Sequence, residues 1–527
     1  MPFLFVLFRV DGSYNKTMKN KVIVSASIVT GLSVAERFLG FLYRIVLSRL
    51  LGAEGLGLYQ IALSLFGLFA VVGSGGIPVT VSRMISKNKA ENDRLGERRV
   101  VSAGIVACLL LTLPFCVVLG LFGGKIPFLF SDGRAFRVFR ILLLGLAFSS
   151  VYAVLRGHFW GNKQFLTPSI LEIAEESVMV IAGIFLLRNV SSPLSGAEKA
   201  AWAVVISYLF SFTASLLCFF LKGGKLSAPK NALKPLLSSA LPITSVRASG
   251  SLVNSAVAVL FPVMLMRAGA DESTAMKIFG VVSGMVLPVL FIPSTVIGSI
   301  ALVLVPELSE DYYRGNTERL QINLERGLRF SLLVACTLIP FFYALGADVG
   351  RLAFSNPTAG IMIRKSCLIL LPMSLTMIST SMLNAMGFEK QTFLFFFFGA
   401  AALLVCILTL PRFCGAYAYL IGLGGSYIVT AACNLFFLRK KGFIFQKSGG
   451  HVRDHALFIP LFAVLPFSAF GRLCNRLFKL FLGEFFAIAA TAVTLGLVIL
   501  ALYLALGYIP VKKIRLLRKA KGRKNTI

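Results

Sequence analysis

Acidic residues are scarce in this chain. Its 527 residues hold 22 Asp and Glu against 53 Lys and Arg, and only 14% of positions are charged. A soluble domain carries about a quarter charged residues, so that class is excluded. Histidine is nearly missing. His158, His451 and His455 all fall near loop ends, where they read as interfacial polar residues rather than metal ligands. The nine cysteines contain no C-x-x-C pair. Cys108, Cys116, Cys218, Cys336, Cys367, Cys406 and Cys433 sit inside apolar runs, where Cys behaves as a small hydrophobe. No metal site and no structural disulfide are expected. The chain has no G-x-x-x-x-G-K-[ST] loop, which excludes a self-contained ATP-driven pump. It has no Ser/His/acid or paired-carboxylate arrangement, so it does not read as an enzyme, and no cofactor is implied.

What fills the chain is apolar. Hydrophobic residues make up 57%, Phe alone counts 47, and mean hydropathy is +0.84. Runs of about 20 apolar residues, enough to cross a bilayer core, recur from end to end. Fourteen candidate spans emerge, among them 22–48, 57–85, 165–187, 277–305 and the short, Pro-containing 455–470. The sequence therefore predicts an all-α polytopic membrane protein with about fourteen transmembrane helices. The net charge of +31 does not argue for nucleic acid. Basic residues concentrate in short loops and a tail, as the positive-inside rule distributes them. That pattern predicts a multi-pass protein of the cell membrane with both termini cytoplasmic. The tail VKKIRLLRKAKGRKNTI is basic enough to rest on anionic headgroups. At the other end, MPFLFVLFRV is too short to cross and no small-residue cleavage site follows it. Met18, just ahead of KNK, offers a second start.

The spans form a repeat. Six lie in 22–221 and six in 236–438, joined by a cytoplasmic linker at 222–235. A loop at 439–454 leads to two more spans at 455–509, with tails at 1–21 and 510–527. In each half a long second span runs into a charged loop: VSRMISKNKAENDRLGERR in the first, VPELSEDYYRGNTERLQINLER in the second. In each half a fourth span closes on a similar turn, GNKQF from Gly161 and GFEKQ from Gly387. Both halves enter and leave on the cytoplasmic side, so they read as two six-helix lobes in parallel repeat, related by a pseudo-two-fold axis along the membrane normal. Such lobes enclose a central cavity, and rocking one against the other gives alternating access. Gly73, Gly75, Gly76 and Pro78 interrupt the second span; Gly284, Pro288 and Pro293 interrupt the eighth, its repeat partner. Matched interruptions mark either the hinges of a transport site or plain kinks and close helix packing.

Charges inside these spans carry the functional signal. Arg37, Arg44 and Glu36 lie in the first span, Arg83 at the end of the second and Arg247 in the seventh. A charge at membrane depth costs roughly 2.5–3.5 kcal/mol on insertion scales, so it faces a wet cavity or a partner. Cationic residues around a cavity suit a phosphate or diphosphate cargo. Arg37 and Arg44 stand two turns apart on one stripe, while Glu36 points about 100° away from Arg37. The alternative is that Arg44 and Arg49 snorkel toward headgroups. Around Arg247, Ser245, Ser249, Ser251, Asn254 and Ser255 make a polar stretch that reads as cavity lining or as hydrogen-bonded helix packing. Arg83 is either an interfacial positive-inside residue or part of a gate. Glu172, Glu175 and Glu176 in the fifth span either pair with Arg83 or Arg156, or hold a coupling proton or sodium ion.

The stretch from Glu36 to Arg83, with its LGAEGLGLYQ turn and SGGIPVTVSR ending, resembles the start of polysaccharide-type exporters of the multidrug/oligosaccharidyl-lipid/polysaccharide (MOP) superfamily. The nearest likeness is to the stage V sporulation protein B branch. TPSILEIAEESVMVIAGI, from Thr167, is similar to that family's Pro-x-x-x-x-x-x-x-Glu pattern in the fifth span. The resemblance covers roughly residues 22–440, and the last two spans match the fourteen-helix members, the lipid II flippases among them. It implies two six-helix lobes with extra C-terminal helices, and a flippase for an undecaprenyl-diphosphate-linked glycan such as lipid II or a related peptidoglycan or polysaccharide precursor. Arg37 matches the family's S/E-R-x-L-G-F position, whereas Arg44 is out of register with the next arginine of the lipid II flippases. The resulting expectation is a monomeric carrier among membrane lipids. Arg37, Arg44, Arg247 and Asn254 bind substrate; Glu36, Arg83, Glu172, Glu175 and Glu176 gate or couple; and Gly75, Gly76, Pro78, Pro288 and Pro293 serve as hinges. Two other readings stand beside it: a multidrug cation exporter of the same superfamily, which needs cavity carboxylates, and a scaffold of wall or sporulation assembly that transports nothing.

Overall fold

The computed structural model describes residues 16–123, 130–444 and 459–505. Among these residues the secondary structure is helical, without a strand. In chain order, α1 spans Lys16–Ser74, α2 Ile77–Ala90, α3 Arg94–Phe122, α4 Gly133–Gly161, α5 Leu166–Leu186, α6 Pro193–Leu221, α7 Leu233–Arg267 and α8 Glu272–Phe279. A π-helical stretch at Gly280–Val286 and a short α9, Leu287–Leu290, follow. The remainder comprises α10 Ile292–Tyr313, α11 Thr317–Phe354, α12 Pro357–Ser366, α13 Leu370–Ala385, α14 Glu389–Thr409, α15 Pro411–Cys414, α16 Ala418–Lys440, α17 Ile459–Phe481 and α18 Glu484–Ala505. The basic tail 510–527, His451 and His455, the residues before 16 and most of the 439–454 loop lie outside the described residues.

Local chemistry sets the boundaries. Asp93 accepts from the Gly96 amide at 2.7 Å to start α3, and Asp132 accepts from the Arg134 amide at 2.7 Å to start α4. Ser192 followed by Pro193 opens α6, and Asn316 and Asn356 cap α11 and α12. Each side chain satisfies an amide the helix leaves orphaned, typically worth ~1 kcal/mol. Within α1, Gly52 takes φ 66 and ψ 179, a conformation open almost only to glycine. The LGAEGLGLYQ segment thus breaks α1 between the first and second predicted spans.

Eleven helical stretches of the described residues are long and apolar enough to cross a membrane. The difference from fourteen has physical causes. The first two predicted spans lie in one run, Ile28–Ala90, which breaks at Gly52 and again after Ser74. The fifth predicted span forms α5 and the thirteenth forms α17. Glu172, Glu175 and Glu176 in the one, and Arg472, Arg476 and Lys479 in the other, take both out of the purely apolar set.

The helices group into two compact units. Of the described residues, one holds those of Asn15–Pro288 and Leu404–Tyr419; the other holds those of Val289–Leu403 and those from Leu420 onward. In the first, Ile77, Val81 and Ile85 of α2 pack with Val100, Val101 and Ala107 of α3, Val154, Leu155 and Phe159 of α4, and Leu236 and Ala240 of α7. In the second, Leu304 and Leu308 of α10 pack with Leu320, Leu324 and Leu328 of α11, Met382 and Leu383 of α13, and Leu438 of α16. Outward faces are also apolar: Phe185, Leu221, Phe436 and Phe462 are all largely exposed. Large apolar side chains exposed in such number suit a lipid surround rather than water.

Candidate functional site

The second predicted span is interrupted where its glycines stand. α1 ends at Ser74, and α2 begins at Ile77 with Pro78 in its first turn. A break in a buried helix leaves backbone groups without partners. Here α7 supplies them. Arg247 donates from Nη1 to the Gly75 carbonyl at 2.7 Å, and Thr244 Oγ1 accepts from the Gly76 amide at 2.9 Å. Gly76 permits this approach, since a Cβ there would lie 2.3 Å from the Ala240 carbonyl oxygen. Farther along, Ser255 donates to the Ser64 carbonyl at 2.7 Å.

The polar stretch of α7 therefore divides. Ser255 is helix packing. Ser245 and Ser249 bond back to carbonyls of their own helix. Arg247 and Asn254 are exposed. One Arg247 donor is occupied, and its remaining N–H groups have no protein acceptor among the described residues.

The first half of α1 uses two faces. Glu36, Gly40, Tyr43 and Leu47 recur at spacings of four, three and four, which aligns them on one stripe. That stripe faces α5: a Cβ at Gly40 would lie 2.8 Å from Glu176 Oε1, and one at Gly183 would overlap the Tyr43 hydroxyl. Arg37 and Arg44 sit one residue on, rotated by about 100°, and both are exposed.

Against that stripe lies a cluster of carboxylates. Arg156 of α4 pairs with Glu172 of α5 at 3.1 Å and stacks over Trp160 at 5.1 Å. Glu36 is in electrostatic range of Glu172 and Arg156, and Glu176 of Glu36 and Arg44. Glu175 lies beside Ser211 of α6. Tyr43 OH, Tyr152 OH and Arg156 Nε are buried here without a hydrogen-bond partner among the described residues. Of the two partners the sequence offers Glu172, the structure selects Arg156; Arg83 is exposed on α2.

The eighth predicted span is interrupted too, by the π-helical Gly280–Val286 and by a turn at Phe291 between α9 and α10. Part of this is close packing: a Cβ at Gly284 would meet the Leu56 side chain at 2.4 Å. Pro288 lies in α9, and Pro293 is buried in the first turn of α10.

Two polar networks escaped the sequence reading. Glu54, just past the Gly52 break, accepts from Arg134 Nη1 at 2.8 Å and from Ser273 Oγ at 2.8 Å, with Lys277 at 4.0 Å. In the other unit, buried Asp348 accepts from Asn475 at 2.6 Å, from Arg351 at 3.2 Å and from Lys479. The Asp-Gly-Arg helix start at residue 132 and the i,i+3 spacing of Asp348 and Arg351 are the local signals; the rest is tertiary.

All nine cysteines are free, and the described residues hold no group of three or more His, Cys, Asp or Glu side chains arranged around a metal.

Residues 23–311 match the model of the polysaccharide biosynthesis protein family. The chain belongs to that family and is a multi-pass membrane protein. It is 25% identical over 357 residues to stage V sporulation protein B of Bacillus subtilis (strain 168), covering 65% of this chain and 67% of the relative. It is 22% identical over 370 residues to the lipid II flippase MurJ of the same organism, covering 65% and 66%. The chain thus spans about two thirds of the length of these relatives. Among solved structures, it matches a lipid II flippase MurJ in an inward closed conformation with TM-score 0.71 and 15% identity, over 91% of this chain and 99% of that one. An inward-facing multidrug resistance MATE family transporter of the MOP superfamily gives TM-score 0.66 and 15% identity, over 77% and 94%. The fold is that of these two solved proteins, one named a flippase and the other a transporter.

Proposed function

We propose that this protein is a flippase that moves an undecaprenyl-diphosphate-linked glycan across the cell membrane by alternating access, with both termini cytoplasmic. One observation carries the reading: Arg247 anchors one guanidinium nitrogen on the helix break at Gly75 and keeps its other donors exposed. A planar fork with donors to spare suits the oxygens of a diphosphate. Arg37 and Arg44, exposed on the first half of α1, supply further positive charge, and Asn254 adds a neutral donor and acceptor. The breaks near Gly75, Gly76 and Pro78, and near Pro288 and Pro293, act as hinges. The family and the relatives named for lipid II and sporulation support a wall-precursor cargo.

The carboxylates do different work. Glu36, Glu175 and Glu176, with Glu172 held by Arg156, form a site for the coupling proton or sodium ion, and Arg83, midway along α2, serves as a gate. A cytoplasm-negative potential supplies ~2.3 kcal/mol per charge per 100 mV and drives the anionic cargo outward. The protein acts as a monomer among membrane lipids. The same carboxylates favour a second reading, export of organic cations, which drug-resistance profiling of a deletion strain tests.

The direct test replaces Arg37 and Arg247 with Ala and measures lipid-linked precursor on the outer leaflet. The proposal expects at least a tenfold loss in each variant. Undiminished flipping in both removes the mechanism.

A further inference from the structure

A cationic cavity lies wholly within the unit that holds Val289–Leu403. It encloses about 670 Å³ between α11, α12 and α17. Arg364 of α12 and Arg472 and Arg476 of α17 line it, with Lys365 beside them. Arg472 rests over the Tyr343 ring at 5.1 Å and reaches the Tyr343 hydroxyl at 3.4 Å. None of the three arginines pairs with a carboxylate among the described residues. The nearby acids are already engaged: Asp348 with Arg351, Asn475 and Lys479, and Glu484 with Arg351. Three guanidinium groups sharing one small space repel one another unless an anion joins them.

The rest of the wall describes that anion. Ile339 and Val464 are buried in it, whereas Leu368, Leu465 and Leu473 at its edge are 55%, 75% and 56% exposed. A ligand that satisfies the whole cavity has a compact anionic head and hydrocarbon attached to it. Arg364 is seven residues into α12, and Arg472 lies nine residues before the end of α17, roughly 10–14 Å from those helix ends at 1.5 Å per residue. On the orientation the sequence predicts, this end faces away from the cytoplasm.

We infer that the Arg364–Arg472–Arg476 cavity is a binding site for the phosphate head of an anionic phospholipid from the surrounding bilayer, distinct from the transport site. Tyr343 fixes the Arg472 plane, Arg364 and Arg476 close on the phosphate, and the exposed leucines carry the acyl chains.

The experiment uses the full chain purified in detergent and stripped of lipid. Phosphatidylglycerol, phosphatidylcholine and inorganic phosphate are added separately, and bound adducts are counted by native mass spectrometry. Wild type is expected to keep one phosphatidylglycerol and to prefer it at least tenfold over phosphatidylcholine. Arg364→Gln and Arg472→Gln each weaken retention about tenfold, in line with loss of one charge-assisted contact. Arg472→Lys restores part of it. Removing the same charge at Arg94, Arg98 and Arg99 leaves retention unchanged. Folding of every variant is checked by its elution volume and unfolding midpoint. Equal retention in wild type and both folded Gln variants overturns the site. So does full displacement of the lipid by millimolar inorganic phosphate, which makes it a site for the free ion.

Discussion

Arg247 of α7 donates to the carbonyl oxygen of Gly75, the residue at which the α1 helix gives out, at 2.7 Å. One residue on, the Gly76 amide is taken up by Thr244 of the same helix. The two orphaned backbone groups of a helix break are thereby satisfied from one neighbour, which holds an arginine at the break without using most of its donors. A structural tie and a ligand-binding group are combined in one side chain.

That double role predicts different fates for two substitutions. Arg247→Lys keeps the charge but loses the planar fork, so transport falls at least tenfold with little change in the unfolding midpoint. Arg247→Ala also leaves the Gly75 carbonyl unpartnered, costing about 1–3 kcal/mol in addition. Flipping assays and thermal unfolding on the same preparations separate the two effects. Equal unfolding midpoints for Lys and Ala contradict the structural half of this account.

Gly76→Ala places a methyl carbon 2.3 Å from the Ala240 carbonyl oxygen. Backbone must shift to admit it, an overpacking cost of about 1–3 kcal/mol. Gly67→Ala, within α1 ahead of the break, meets nothing within 4 Å and serves as the comparison. Thermal unfolding is expected to drop clearly for the first and to stay level or rise slightly for the second.

The Arg156–Glu172 pair is less than one third exposed on either side. Arg156→Gln leaves Glu172 among Glu36 and Glu175 without its cation, so stability falls. The double variant with Glu172→Gln recovers part of the loss. The coupling energy from the double-mutant cycle is expected near 1 kcal/mol. Strict additivity contradicts the pairing.

Much of this was readable in the sequence. The helical class follows from apolar runs that nothing but a bilayer or a very large core absorbs. Both interruptions fall where glycine and proline were clustered, after Ser74 and between Gly280 and Ile292. The Arg156–Glu172 pair was also within reach. The α4–α5 turn between Gly161 and Leu166 sets a hairpin that brings residues five before and six after it to a similar depth. Other features were hidden because they are tertiary. Nothing near Gly75 announces that its carbonyl will meet a side chain 172 residues away. Glu54, Arg134, Ser273 and Lys277 meet only when three separate helix ends are folded together. The charges of α5 and α17, which make them poor spans by composition, are among those that build the carboxylate cluster and the cationic cavity.

The claim that guanidinium groups of α1 and α7 receive a diphosphate is tested most directly by equilibrium binding of undecaprenyl diphosphate, without its glycan, to the purified full chain. Wild type is expected to bind at least tenfold more tightly than either Arg37→Gln or Arg247→Gln, and the double variant more weakly still. Affinity that is the same in all four folded proteins contradicts the account.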